Sequence, residues 1–117
     1  MAMAVAVEGA VSGLAGGHAA VVADMVAYQP GAVVSREVMR SPRGTVTAFA
    51  FAAGQGLSEH TTPYDALAHV LDGEAEITID GTPHRVRAGE AILMPGGHPH
   101  ALRAVAPFKM LLTMIRA

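Results

Sequence analysis

The chain carries six histidines and no cysteine. Any metal it holds must therefore use nitrogen and oxygen ligands, and a thiolate site and a disulfide framework are both ruled out. His60 stands in GQGLSEHTTPYDALAHVLDG, residues 54–73, in a loop containing glycine and serine just ahead of an apolar run that reads as a strand. Ligand residues are commonly held this way at a barrel mouth. Two residues later, where a second ligand would be useful, the chain has Thr62. His100 closes the stretch MPGGHPH, and His98 lies on the same face if the strand has already begun there. A first-row divalent ion held tightly draws on at least three protein ligands, so a third donor is needed. The candidates are His98, Asp65 and the Thr62 hydroxyl. Each also has a purely structural reading: His98 as a rim residue after Gly96 and Gly97, Asp65 as a cap on the turn at Pro63, and Thr62 bonded to its own backbone.

The same imidazoles suit acid–base chemistry, because their ordinary pKa lies near working pH. Ser58 is close to His60 in sequence, but no third, orienting residue stands at a recognisable spacing, so no activated nucleophile is read here. Of the other histidines, His18 sits among glycines and alanines and reads as solvated, while His84, two residues before Val86, reads as a half-buried, hydrogen-bonded histidine, with a place on the barrel wall as the alternative.

The elements that must position these groups are short. From Val33 onward, runs rich in Val, Ile, Thr, Phe and Leu alternate with turn signals at SPRG, AAGQG, two Asp-Gly pairs, AGE and PGG, the pattern of an antiparallel sandwich or barrel. In DALAHVLDGEAEITIDG, Asp72-Gly73 reads as a tight hairpin turn. That register sets Val70 opposite Ala75, His69 opposite Glu76, Ala68 opposite Ile77 and Ala66 opposite Ile79. Ala66, Ala68, Val70, Ala75, Ile77 and Ile79 then look inward. Leu67 and Leu71 look outward, as do Leu111 and Ile115 on FKMLLTMIR, whose other face carries Phe108, Met110, Leu112 and Met114. A strand apolar on both faces is covered on both.

At 117 residues the chain suits one domain, and with 51% hydrophobic and only 15% charged residues it has too few charges to leave its apolar faces open. A homodimer is expected, with Leu67, Leu71, Leu111 and Ile115 in the interface. A net charge of −2 and the absence of a basic stripe speak against nucleic acid and against a membrane surface. The apolar start lacks a basic leader region and is interrupted by Glu8 and glycines, which points to a cytoplasmic protein. Residues 1–29 are expected to form a weakly ordered or edge-pairing arm, and residues 30–117 the barrel domain.

Residues 54–73 and 89–100 together resemble the two motifs of the cupins, a family of small β-barrels. The first motif is a glycine, His-x-His, a glutamate and a closing glycine, and this chain has Gly54, His60, Thr62, Ala66 and Gly73 in that frame. The second is matched by Gly89, Pro95, Gly97 and His100, with Ala104 where the family ends on an asparagine. The resemblance implies an all-β fold, a single antiparallel barrel or double-stranded β-helix of jelly-roll type. It also implies a cavity onto which three histidines and a glutamate converge to hold Fe, Mn, Ni, Zn or Cu. Here Thr62 replaces one histidine and Ala66 the glutamate, which leaves His60 and His100.

The function expected from these residues is binding of a small molecule, together with a divalent ion (Zn, Ni, Fe or Mn) at a reduced His60/His100 site. The alternative is an enzyme of dioxygenase, isomerase or decarboxylase type acting on a small organic substrate, with His60 and His100 as its catalytic candidates.

Overall fold

The computed structural model describes residues 13–116 and the backbone of residues 5–7. Its strands are β1 (Val5–Val7), β2 (Val33–Ser41), β3 (Gly44–Phe51), β4 (Gly56–His60), β5 (Asp65–Asp72), β6 (Glu74–Ile79), β7 (Thr82–Arg87), β8 (Ala91–Met94), β9 (His100–Ala104) and β10 (Phe108–Ile115). They form two sheets, β1-β2-β3-β10-β5-β8 and β4-β9-β6-β7. Every ladder is antiparallel except the short parallel pairing of β1 on β2. The fold is the all-β, jelly-roll barrel that the turn spacing and the two motifs imply. Among the described residues, no helix is long and apolar enough to cross a membrane.

Alternation decides what each strand gives to the interior. Along β10, Phe108, Met110 and Leu112 are buried, while Lys109, Leu111 and Thr113 between them are only partly so. Phe108 pairs with Phe51 on β3, and the two rings stack at 4.4 Å between centroids. That end of the barrel is filled by aromatic packing. At the other end of the same strand, Met114 pairs with Ala66 on β5, and here the interior meets the histidines.

The hairpin expected at Asp72-Gly73 does not form. β5 pairs with β10 and β8, and β6 pairs with β7 and β9, so this dipeptide carries the chain from one sheet to the other. His69 therefore lies between Leu111 and Ala91 instead of opposite Glu76, which pairs with Arg85 and Arg103. Gly73 adopts φ +75°, and a Cβ there would lie 1.8 Å from the Pro107 carbonyl oxygen, so the crossing is pinned by a distant loop. The inward set survives this correction, because alternation within each strand does not depend on its partner. Ala66, Ala68, Val70, Ala75 and Ile77 are all buried, and Ile79 is partly buried. Asp80-Gly81 does form a two-residue hairpin, with Ile79 opposite Thr82 and both turn residues at positive φ.

The outer face of the larger sheet is partly covered by the chain itself. Met25 and Val26 bury against Val34, Val38, Ala48 and Ala50, with Leu111 packed at the edge of the cluster. Burial of each large side chain there contributes about 1.5–3 kcal/mol. Lys109 Nζ donates to the Ala23 carbonyl at 2.6 Å, and the Tyr28 hydroxyl donates to Asp72 Oδ2 at 2.5 Å. Of the segment 1–29 expected as an arm, residues 1–4 and 8–12 lie outside the described residues.

The two Asp-Gly turns should respond differently to a methyl group. Gly81 also has positive φ, but it has open space around it. Gly81→Ala should cost about 1–2 kcal/mol for the left-handed backbone alone, and Gly73→Ala roughly 2–5 kcal/mol because the Pro107 loop must also move. Urea unfolding measures both. Equal losses would show that the sheet crossing is not held by that contact.

Candidate functional site

The β4–β9 ladder sets His60 directly across from His100, after an irregularity in β4 between Leu57 and His60. Each ring is held by a backbone carbonyl two residues earlier: His60 Nδ1 lies 2.8 Å from Ser58 O, and His100 Nδ1 lies 3.1 Å from His98 O. A carbonyl oxygen only accepts, so Nδ1 is the protonated nitrogen in both rings, and in the neutral form Nε2 is left with a bare lone pair. The two Nε2 atoms face each other at 3.1 Å, with the rings edge-on at 70°. Two lone pairs at that distance repel. The contact becomes favourable only when a proton or another electron-pair acceptor lies between them.

Around this pair the walls are apolar. Leu57, Leu102, Leu112, Met94, Met110 and Met114 line the cavity together with Thr62 and Ala66. About 20 Å³ of free space remains, room for one water or one ion. His100 is buried and His60 half-buried, so the pair closes the barrel with one ring inside and one toward the mouth. The motif loops that carry the rings are tied together. Gly97 N–H donates to Thr62 O at 2.8 Å, and a Cβ on Gly96 would lie 2.6 Å from Pro63 O. Only glycine permits that approach.

The structure brings together His60, His100, Thr62 and Ala66, and leaves the other two candidates out. His98 is exposed at the rim, with Nδ1 2.8 Å from Asp80 Oδ2, and Asp65 is exposed and accepts from Gly96 N–H at 2.9 Å. Neither side chain lines the cavity; each reaches a residue distant in sequence, and Asp65 caps the second motif's loop at Gly96 instead of the turn at Pro63. The Thr62 hydroxyl donates to Tyr64 O at 3.2 Å, as its structural reading supposed, and still lines the cavity. His84 is exposed on β7 and forms no part of the wall, since the alternation it shares with Val86 runs past the covered stretch of the strand. His18 is exposed. Among the described residues, no group of three or more His, Cys, Asp or Glu side chains could hold a metal ion.

Sequence reasoning missed one wall residue that matters, Met94, and missed that Met94 and Met114 flank Ala66. They are the cross-strand neighbours of Ala66 on either side. The alternation of β10 does place Met114 inward. What it lacks is the strand order that sets Met114 beside Ala66.

A family model of the cupin domain matches residues 48–115. The chain is 41% identical over 63 residues to the dimethylsulfoniopropionate lyase DddW of Ruegeria pomeroyi, a stretch that is 51% of this chain and 40% of that protein. It spans less than half the length of the curated relatives it matches. Among solved structures it is similar to a conserved protein of unknown function from Streptococcus pyogenes, with TM-score 0.84, 34% identity and coverage of 93% of this chain and 98% of that one. A cupin superfamily protein from Desulfitobacterium hafniense superposes with TM-score 0.84 at 26% identity, over 93% of this chain and 100% of that one.

Burial holds the His100 pKa below its ordinary value of 6.5, and the neighbouring His60 ring adds to the effect, against the opposing hydrogen bond to His98 O. A histidine that resists protonation when folded is protonated more readily when unfolded. Its contribution to stability is therefore complete above about pH 6.5 and is lost as the pH falls through the folded value. Urea unfolding between about pH 7.5 and pH 5 should show stability declining with acid, and His100→Gln should flatten that decline. Identical slopes in parent and variant would mean that His100 takes up its proton as easily folded as unfolded.

Proposed function

The chain belongs to the cupin family, and from that premise we propose that it is a small-ligand-binding barrel whose working groups are His60 and His100. The bound species offers an acidic hydrogen or another electron-pair acceptor to the two Nε2 atoms. What supports this is the placing of both Nδ1 atoms within hydrogen-bond distance of carbonyl oxygens, which assigns their protons there and turns two Nε2 atoms toward each other at 3.1 Å in an apolar cavity.

A Zn, Ni, Fe or Mn ion would be held there by His60 and His100, with Thr62 or solvent in a third position. No carboxylate is available to neutralise its charge. Such an ion would supply Lewis acidity. The donor set fits weak binding: each missing ligand removes a donor that a methyl or a neutral hydroxyl replaces poorly. Restoring the family's ligand types with Thr62→His and Ala66→Glu should tighten Ni or Zn at least about tenfold, about 1.4 kcal/mol. His60→Gln with His100→Gln should abolish uptake. Calorimetry showing the parent already as tight as the restored variant, or uptake that survives loss of both histidines, would contradict the reading.

A second reading, an acid–base or metal-dependent enzyme on a small organic substrate, is favoured by the similarity to a protein named as a lyase. It requires the cavity, now sized for one water, to open through the flexible Met and Leu side chains around it.

The apolar outer face also supports self-association. Leu67, Leu93, Met39 and Ile115 are exposed, and Leu67 and Leu93 are cross-strand neighbours. Leu71 and Leu111, expected in the same interface, are partly covered. Sedimentation should show a homodimer that Leu67→Lys with Leu93→Lys converts to monomer. A parent that sediments as monomer at micromolar concentration would exclude it.

A further inference from the structure

At the position where the resemblance places a carboxylate, the cavity wall is a methyl group flanked by thioethers. Ala66 pairs with Met94 on β8 and with Met114 on β10, and residues paired across adjacent strands share a face. Met94, Met114, His60 and His100 line one cavity. Met110, four residues deeper along β10, and Thr62 line it as well, so its donors are two neutral imidazoles, one hydroxyl and three thioether sulfurs, without an anionic oxygen. Thioether is a soft donor that favours Cu(I), whereas Mn and Mg are favoured by carboxylate and water.

The spacing of the nitrogens adds a second constraint. With metal–nitrogen bonds of about 2.0 Å, a 3.1 Å separation corresponds to a nitrogen–metal–nitrogen angle of roughly 100°. That angle is far from linear, so an ion on both rings has further positions to fill on the cavity side. The space available is about that of one ion, and its lining includes Met94, Ala66 and Met114, side by side across three strands. A soft monovalent ion also suits the charge of the site: it brings one positive charge into an apolar cavity instead of two, where uncompensated charge is costly.

We propose that this cavity is a soft-metal site, binding Cu(I) through His60 Nε2, His100 Nε2 and the sulfurs of Met94 and Met114 in preference to Zn or Ni. The inference rests on the reading that the histidine pair seats an electron-pair acceptor, and it adds the chemical class of that acceptor.

Leucine matches methionine in volume and apolarity and lacks only the sulfur donor, so Met94→Leu with Met114→Leu is the diagnostic variant. The full chain is titrated anaerobically with Cu(I) against a colorimetric Cu(I) chelator, and separately with Zn by calorimetry. The parent should hold one Cu(I) per chain. The double variant should lose at least about tenfold in Cu(I) affinity and keep its Zn affinity within about twofold. X-ray absorption should find sulfur in the copper shell of the parent and less of it in that of the variant, where Met110 is the one thioether left in the lining. If the double variant is poorly folded by circular dichroism, Met114→Leu alone, at the half-buried position, carries the same test. A sulfur-free copper shell, or Cu(I) affinity unchanged by loss of the methionines, overturns the soft-metal site and leaves the histidine-pair reading standing. A parent that binds neither ion overturns both.

Discussion

Every strand of a two-sheet barrel can offer only alternate side chains to the interior, and the remaining features of this molecule follow from that constraint. It sends Phe108, Met110, Leu112 and Met114 into one graded column on β10. It also places Ala66 between two methionines and sets His60 against His100 across the β4–β9 ladder. The aromatic stack of Phe51 on Phe108 fills one end, so the space that remains lies at the other, where both histidines stand. Packing and chemistry are two ends of one column.

At the histidine end, the backbone rather than a carboxylate orients the rings. Two carbonyls, Ser58 O and His98 O, each fix an Nδ1 proton, and the geometry of the ladder turns both Nε2 atoms toward each other. Neutral acceptors hold the tautomer without adding charge. The pair therefore offers two lone pairs to one electron-pair acceptor, while burial disfavours a proton on His100 itself, and little else in the cavity shares the load. His98 and Asp65, which could have shared it, are engaged at the rim by Asp80 and Gly96.

Much of this was legible in the sequence, though unevenly. The inward identity of Ala66, Ala68, Val70, Ala75 and Ile77 follows from alternation alone, so it survived a wrong strand pairing. The pairing itself was not legible. Asp72-Gly73 and Asp80-Gly81 are the same dipeptide, yet one crosses between sheets and the other closes a hairpin. What separates them is the Pro107 carbonyl against Gly73, a contact made only once the chain has folded back. The same limit hid the neighbours of Ala66, because β8 and β10 reach it from distant parts of the chain. The motif spacing carried His60 and His100 to one site, but it could not show that His98 would turn to Asp80.

The central claim is that both imidazoles present bare Nε2 atoms to a common point, and long-range nitrogen–proton correlation spectra of labelled histidine test it directly. Both rings should carry their proton on Nδ1, and the two Nε2 resonances should move together on acidification or on addition of an ion. A neutral ring at position 60 or 100 with its single proton on Nε2 would contradict the account, because the site would then hold a donor where two acceptors are required.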